Sequence, residues 1–175
     1  MSNVTATREL ILDTVGWIMP GPVLVRKIVL IPNSAGDTCL FKKYIANAKD
    51  QEDAATTTIA STSQIQATGK FTTGKVAAND VIKIYNSSTG YNLVTQVVAS
   101  RDSNDQVTMM APALTNDAGA TYSWFVYPTY NAIEILSQAT SKKQEELDFG
   151  YQGRQFTNLC LVTLSSSAKV YVYLA

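Results

Sequence analysis

The chain is expected to be all-β: an antiparallel β-sandwich framework made from its two ends, residues 1–56 and 129–175, with a small β-barrel, residues 57–128, inserted between them. Short apolar, β-branched runs recur along the 175 residues, and clusters of Pro, Asn, Ser, Gly and Asp punctuate them. Helical periodicity is nearly absent.

The elements follow in order. Val23–Ile31 (VLVRKIVLI) is an expected strand, closed by the turn residues Pro32–Asp37. Ala46–Ala55 (ANAKDQEDAA) is the best helical candidate, but it has no apolar stripe and reads as a solvated loop or a single turn. From Asp50 to Ser63 the chain is polar and Thr-rich, and Pro128–Tyr130 supplies a second break. Between these breaks lie Ile65–Thr68, Val81–Tyr85, Leu93–Ala99, Gln106–Ala111 and Tyr122–Tyr127, a strand series sufficient for a small barrel. Asn86–Gly90 and Arg101–Asp105 join consecutive members with tight-turn chemistry, so those neighbours should run antiparallel. Leu159–Leu164 and Lys169–Ala175 close the chain as a hairpin. The last strand alternates Val170, Val172 and Leu174 with Tyr171 and Tyr173. Both of its faces are therefore apolar or aromatic, and each needs a cover, from this chain or from another subunit. Tyr171, Tyr173 and Leu174 are the candidate partner-interface residues.

Composition narrows the chemistry. Fourteen basic and fourteen acidic residues cancel, leaving no overall field toward nucleic acid or an anionic membrane. Charged residues make up only 16% of the chain, below the roughly 25% usual for soluble domains, which suits either a partly covered surface or the ordinary preference of β proteins for Thr. Histidine is absent, which removes the commonest general base near neutral pH and the commonest metal ligand. Cys39 and Cys160 lie in apolar runs away from other ligands and read as buried, reduced thiols. No segment approaches the roughly 20 apolar residues of a membrane span, and MSNVTATRELILD lacks the pattern of a secretion signal. The protein is expected to be made and kept in a cytoplasm, or assembled there into something larger.

Several motifs invite a sharper reading. GKFTTGKV, residues 69–76, places Gly69, Gly74 and Lys75 as in a phosphate-binding loop, but Val76 stands where a hydroxyl should meet magnesium. The following VIKIY reads as a strand, where such a loop needs a helix N-terminus. Glu145, Glu146 and Asp148 beside Lys142 and Lys143 read as a solvated face. The oxygen-rich Asp102–Asp105 turn lacks the central Gly and distal Glu of a calcium loop. Asn3-Val4-Thr5 and Asn86-Ser87-Ser88 are chance matches to the glycosylation pattern. Two small basic–aromatic clusters, Lys42-Lys43-Tyr44 and Arg154-Gln155-Phe156, fall short of a nucleic-acid stripe. No catalytic, cofactor or metal residue is expected.

Leu159–Leu164, the turn Ser165–Ala168 and the terminal strand Lys169–Ala175 together resemble the closing hairpin of small structural proteins of tailed bacteriophage particles. The opening RELILD and GPVLVRKIVLIPNSAGDTCLF resemble the first sheet of the same group. The turn carries Ser166 and Ser167 where that group is expected to have Gly. The resemblance covers about the first and last 45 residues. It implies a non-enzymatic virion protein, most simply a capsid decoration or cement protein that binds the major capsid protein as a homo-oligomer without membrane or specific nucleic-acid contacts. A neck or tail component, such as a head-to-tail adaptor or a fibre-attachment protein, has the same profile. A carbohydrate-binding module with Tyr122, Trp124 and Tyr127 as its platform is the competing class; within one strand Tyr122 and Trp124 share a face and Tyr127 opposes them, an arrangement commoner for core side chains than for a platform.

Overall fold

A computed structural model describes residues 8–112, 114–138 and 140–175. Among the described residues thirteen strands follow one another: β1 Arg8–Leu12, β2 Ile18–Ile31, β3 Thr38–Tyr44, β4 Asp50–Ser61, β5 Gln64–Gln66, β6 Val81–Ser87, β7 Thr95–Arg101, β8 Gln106–Met109, β9 Asp117–Tyr127, β10 Thr129–Leu136, β11 Glu145–Asp148, β12 Arg154–Leu164 and β13 Lys169–Leu174. The protein is all-β, with antiparallel sheets and a closed barrel. The Asn3-Val4-Thr5 pattern lies outside the described residues.

The described residues divide into two compact units, one made of residues 8–15, Met19–Lys43 and Asn131–Ala175, the other of Gly16–Ile18 and Tyr44–Tyr130. The second is longer than the 57–128 insertion read from the sequence. Asp50–Ser61, read as a polar break, is a 12-residue barrel strand. Its local sequence is polar because only alternate side chains face inward: Ala55, Thr57 and Ile59 are buried, while Thr56 and Ala60 are exposed. Cross-strand pairing with β9 supplies what local hydrophobicity lacks.

The first unit is a seven-stranded sheet in the order β1-β13-β2-β12-β3-β10, with β11 also paired to β2. Val25–Ile31 of β2 is matched by β13, and Lys27–Leu30 by β11. Leu12, Val170 and Leu30 are register partners across β1, β13 and β2, as are Leu10, Val172 and Ile28. Of these, all except the half-buried Leu10 are buried, and each fully buried aliphatic side chain contributes about 1.5–3 kcal/mol.

The expected closing hairpin is corrected by this topology. Both of its strands and its turn form, but β12 and β13 are separated in the sheet by β2. The apolar rows of β1 and β2 match Val170 and Val172 on both sides, so β13 takes its hydrogen-bond partners from them. The turn is held by the Ala168 amide donating to the Ser165 carbonyl at 3.1 Å, and the Thr38 amide donates to Ser165 Oγ at 2.9 Å. Ser167 adopts the left-handed conformation, φ 63°, that the missing glycine would have taken.

The second unit closes its strands in the order β4-β5-β8-β7-β6-β9. Closure removes the exposed sheet edges that invite aggregation. Trp124, Tyr122, Phe71, Ile59, Ile65 and Val107 fill the interior, each no more than 2% exposed. Tyr122 carries its hydroxyl to a polar partner set, accepting from Asn92 Nδ2 at 2.9 Å and donating to Asp117 Oδ2 at 2.6 Å.

Candidate functional site

The three sequence-derived interface residues do not share one face. Tyr171 and Tyr173 point to the same side of β13, half-buried, while Leu174 alternates to the side of Val170 and Val172. On the tyrosine side, Ile11 is opposite Tyr171 and is 56% exposed, and Val29 is its other register partner. Tyr173 lies between Glu9 and Lys27, and Lys27 reaches Glu146 of β11 at 2.6 Å. Hydrogen bonding from Lys27 to Glu146 raises the lysine pKa. The result is a sheet face with an apolar strip, Ile11 and Tyr171, beside a charged one.

The phosphate-loop-like stretch has its groups committed elsewhere. The Gly69 amide donates to Asp105 Oδ1 at 2.6 Å and the Phe71 amide to the Asn104 carbonyl at 2.8 Å. Lys70 pairs with Glu52 at 2.6 Å and Lys75 with Asp50 at 3.5 Å, both carboxylates of β4. Phe71 is fully buried against Trp124, and a short turn leads directly into β6. The segment is a plug and strap of the barrel. In the Asp102 turn, burial acts to raise the carboxyl pKa, and donation from Ser100, Thr108 and Gln106 more than offsets it, leaving it lowered. Among the described residues, no group of three or more His, Cys, Asp or Glu is gathered in metal-ligating range.

Cys39 and Cys160 are both free and fully buried, and burial pushes each thiol up to about 12. Their nucleophilic thiolates are scarce near neutral pH. The two basic–aromatic clusters meet in part: Lys43 and Arg154 line one small groove of about 240 Å³ with Asn131 and Thr157. A larger open groove of about 490 Å³ on the barrel is lined by Thr56, Thr58, Gln66, Lys70 and Asp105.

Tyr122 and Trp124 are core residues, 0% and 1% exposed, the reading favoured for them over a surface platform. Tyr127 belongs instead to an outer row of rings. Tyr85 stacks on Phe125 with centroids 4.6 Å apart, Phe125 lies 6.1 Å from Tyr127, and Tyr127 lies 5.6 Å from Tyr44. The Tyr85 hydroxyl donates to Asp53, and Gln51 Nε2 donates to both Asp53 oxygens at 3.2 Å. Donation by Tyr85, then by Gln51, holds the Asp53 carboxyl below its ordinary range, and the same bond raises the Tyr85 pKa.

Sequence reasoning missed this row. The alternation of VIKIY and SWFVY does put Lys83, Tyr85, Phe125 and Tyr127 opposite the core residues, but Asp53 sat in a stretch with no strand signal. Comparison of the chain with protein-family models, with curated proteins and with solved structures finds no match.

Proposed function

We propose that the protein is a non-enzymatic structural subunit of a bacteriophage particle, acting as a capsid decoration protein that stabilises the head by binding the major capsid protein. The observation that carries the binding mode is the half-exposed Tyr171–Tyr173 face of the framework sheet, bordered by the exposed Ile11. Aromatic side chains beside an apolar residue, rimmed by the Lys27–Glu146 pair, have the composition of an interface core with a polar rim. The resemblance of the two chain ends to structural proteins of tailed bacteriophages supplies the particle context. Repetition then makes a weak contact sufficient, because many copies on one lattice add their small stabilisations.

Quantitative mass spectrometry of purified particles tests this reading through the copy number relative to the major shell protein. On the order of hundreds of copies is expected for a decoration role, and about six or about twelve places the chain at the neck or tail. Absence from particles overturns the proposal.

A further inference from the structure

We infer that the outer face of the barrel across β6, β9 and β4 is a carbohydrate-binding site, with Tyr85 and its neighbour Phe125 as stacking rings and Asp53 and Gln51 as hydrogen-bonding groups. Two bulges build it at one level of β9. The register of β6 steps from Ile84–Trp124 to Asn86–Ser123, leaving Tyr85 as the extra residue. That of β4 steps from Glu52–Trp124 to Ala55–Tyr122, leaving Asp53 and Ala54 opposite Ser123. Bulges re-aim side chains at the cost of ladder hydrogen bonds. Here they turn Tyr85 and Asp53 toward each other across β9, where they hydrogen-bond.

At the β4 bulge the backbone is held in a disfavoured conformation. Ala54 is held at φ 49°, a left-handed conformation unusual for a residue with a Cβ, and its amide donates to Ser123 Oγ at 3.0 Å. Tyr85, Asp53 and Ala54 are all exposed. The two distortions serve the surface, where they set an aromatic ring, a carboxylate and an amide side by side.

That combination selects a sugar among the ligand classes. A pyranose presents an apolar C–H face that stacks on an aromatic ring, and hydroxyls that hydrogen-bond to carboxylate and amide groups. Asp53 is held ionised by its donors, and its remaining lone pairs face solvent as acceptors. A nucleic-acid backbone is disfavoured by the same carboxylate, since Lys83, opposite Phe125, is the cation its register brings to the patch. A dry protein interface is disfavoured because Gln51, Asp53 and Lys83 would be desolvated within it.

The experiment is a glycan array probed with the labelled full-length chain and its Tyr85→Ala, Asp53→Ala and Tyr151→Ala variants. Tyr151, 81% exposed in the framework unit, is the control for a surface tyrosine elsewhere. Wild type and Tyr151→Ala are expected to be retained by one related set of glycans, and each of the other two to bind at least about tenfold more weakly. NMR titration of the wild type with a retained oligosaccharide should move the Tyr85 and Phe125 signals first, a readout independent of whether the variants fold. No retention of the wild-type chain by any glycan overturns the site, as does retention that survives both substitutions or signals that move elsewhere. The inference stands apart from the particle reading, because copy number in particles and sugar binding are measured separately.

Discussion

The Phe71 ring stacks on Trp124 inside the barrel, with centroids 5.4 Å apart and planes 25° apart. Phe71 comes from the loop between β5 and β6, so this one contact fastens a segment without strand structure to the centre of the core. Phe71→Ala should cost about 3–5 kcal/mol, measured by urea unfolding. Lys75→Met in the same loop should cost no more than about 1 kcal/mol, since its ion pair is substantially exposed. Addition of magnesium and ATP should leave the thermal midpoint of both unchanged.

Removing the Tyr122 hydroxyl leaves Asn92 and Asp117 short of one partner each. Asn92 is 9% exposed and also binds the Thr115 carbonyl and amide, so it cannot turn freely to water. Tyr122→Phe should destabilise the barrel by about 1–3 kcal/mol in the same measurement.

The Asp117 carboxyl is held below its ordinary value of 3.8 by donation from Thr89 first and Tyr122 second. A lowered folded-state pKa means that the unfolded chain binds the proton more readily. The stabilisation is therefore present above pH 3.8 and is lost as pH falls through the lower folded value. In a pH series of thermal midpoints, Asp117→Asn should differ from wild type near neutrality and converge on it in acid. A constant difference at every pH would show that Asp117 acts through its shape instead of its charge.

Tyr171 and Tyr173 face away from the buried Val170–Val172 row, whereas Leu174 shares its side. Replacing both tyrosines by Ser should lower the copies bound per particle by at least about tenfold with little change in thermal midpoint. Leu174→Ser should instead lower the midpoint. Reversal of these two patterns would assign the tyrosines to the fold and Leu174 to the interface.

The Ile45 amide donates to the Pro128 carbonyl at 3.3 Å, so the entry and exit of the barrel are adjacent in space. Replacing residues 46–127 by a short Gly-Ser link should leave the framework soluble and rich in β structure by circular dichroism. Removing 57–128 cuts β4 in mid-strand, strands Asp50–Thr56 without β9, and should give an insoluble product. Insolubility of both products would show that the framework does not fold independently of the barrel.

Residue pattern determined the β class, most strand positions and the core side of the strands it detected, because apolar alternation and turn chemistry are local and survive in a one-dimensional string. VIKIY already separates Ile82 and Ile84 from Lys83 and Tyr85, and YSWFVY separates Trp124 from Phe125. The polar β4 was not legible, since it becomes a strand through pairing with β9 and not through its own hydrophobicity. Nor was the separation of β12 from β13, which depends on β2 offering a better apolar match from far along the chain. The placement of Asp53 beside Tyr85 was decided only in three dimensions: two bulges opposite Ser123, one in each neighbouring strand, create a proximity that no spacing of 32 residues encodes.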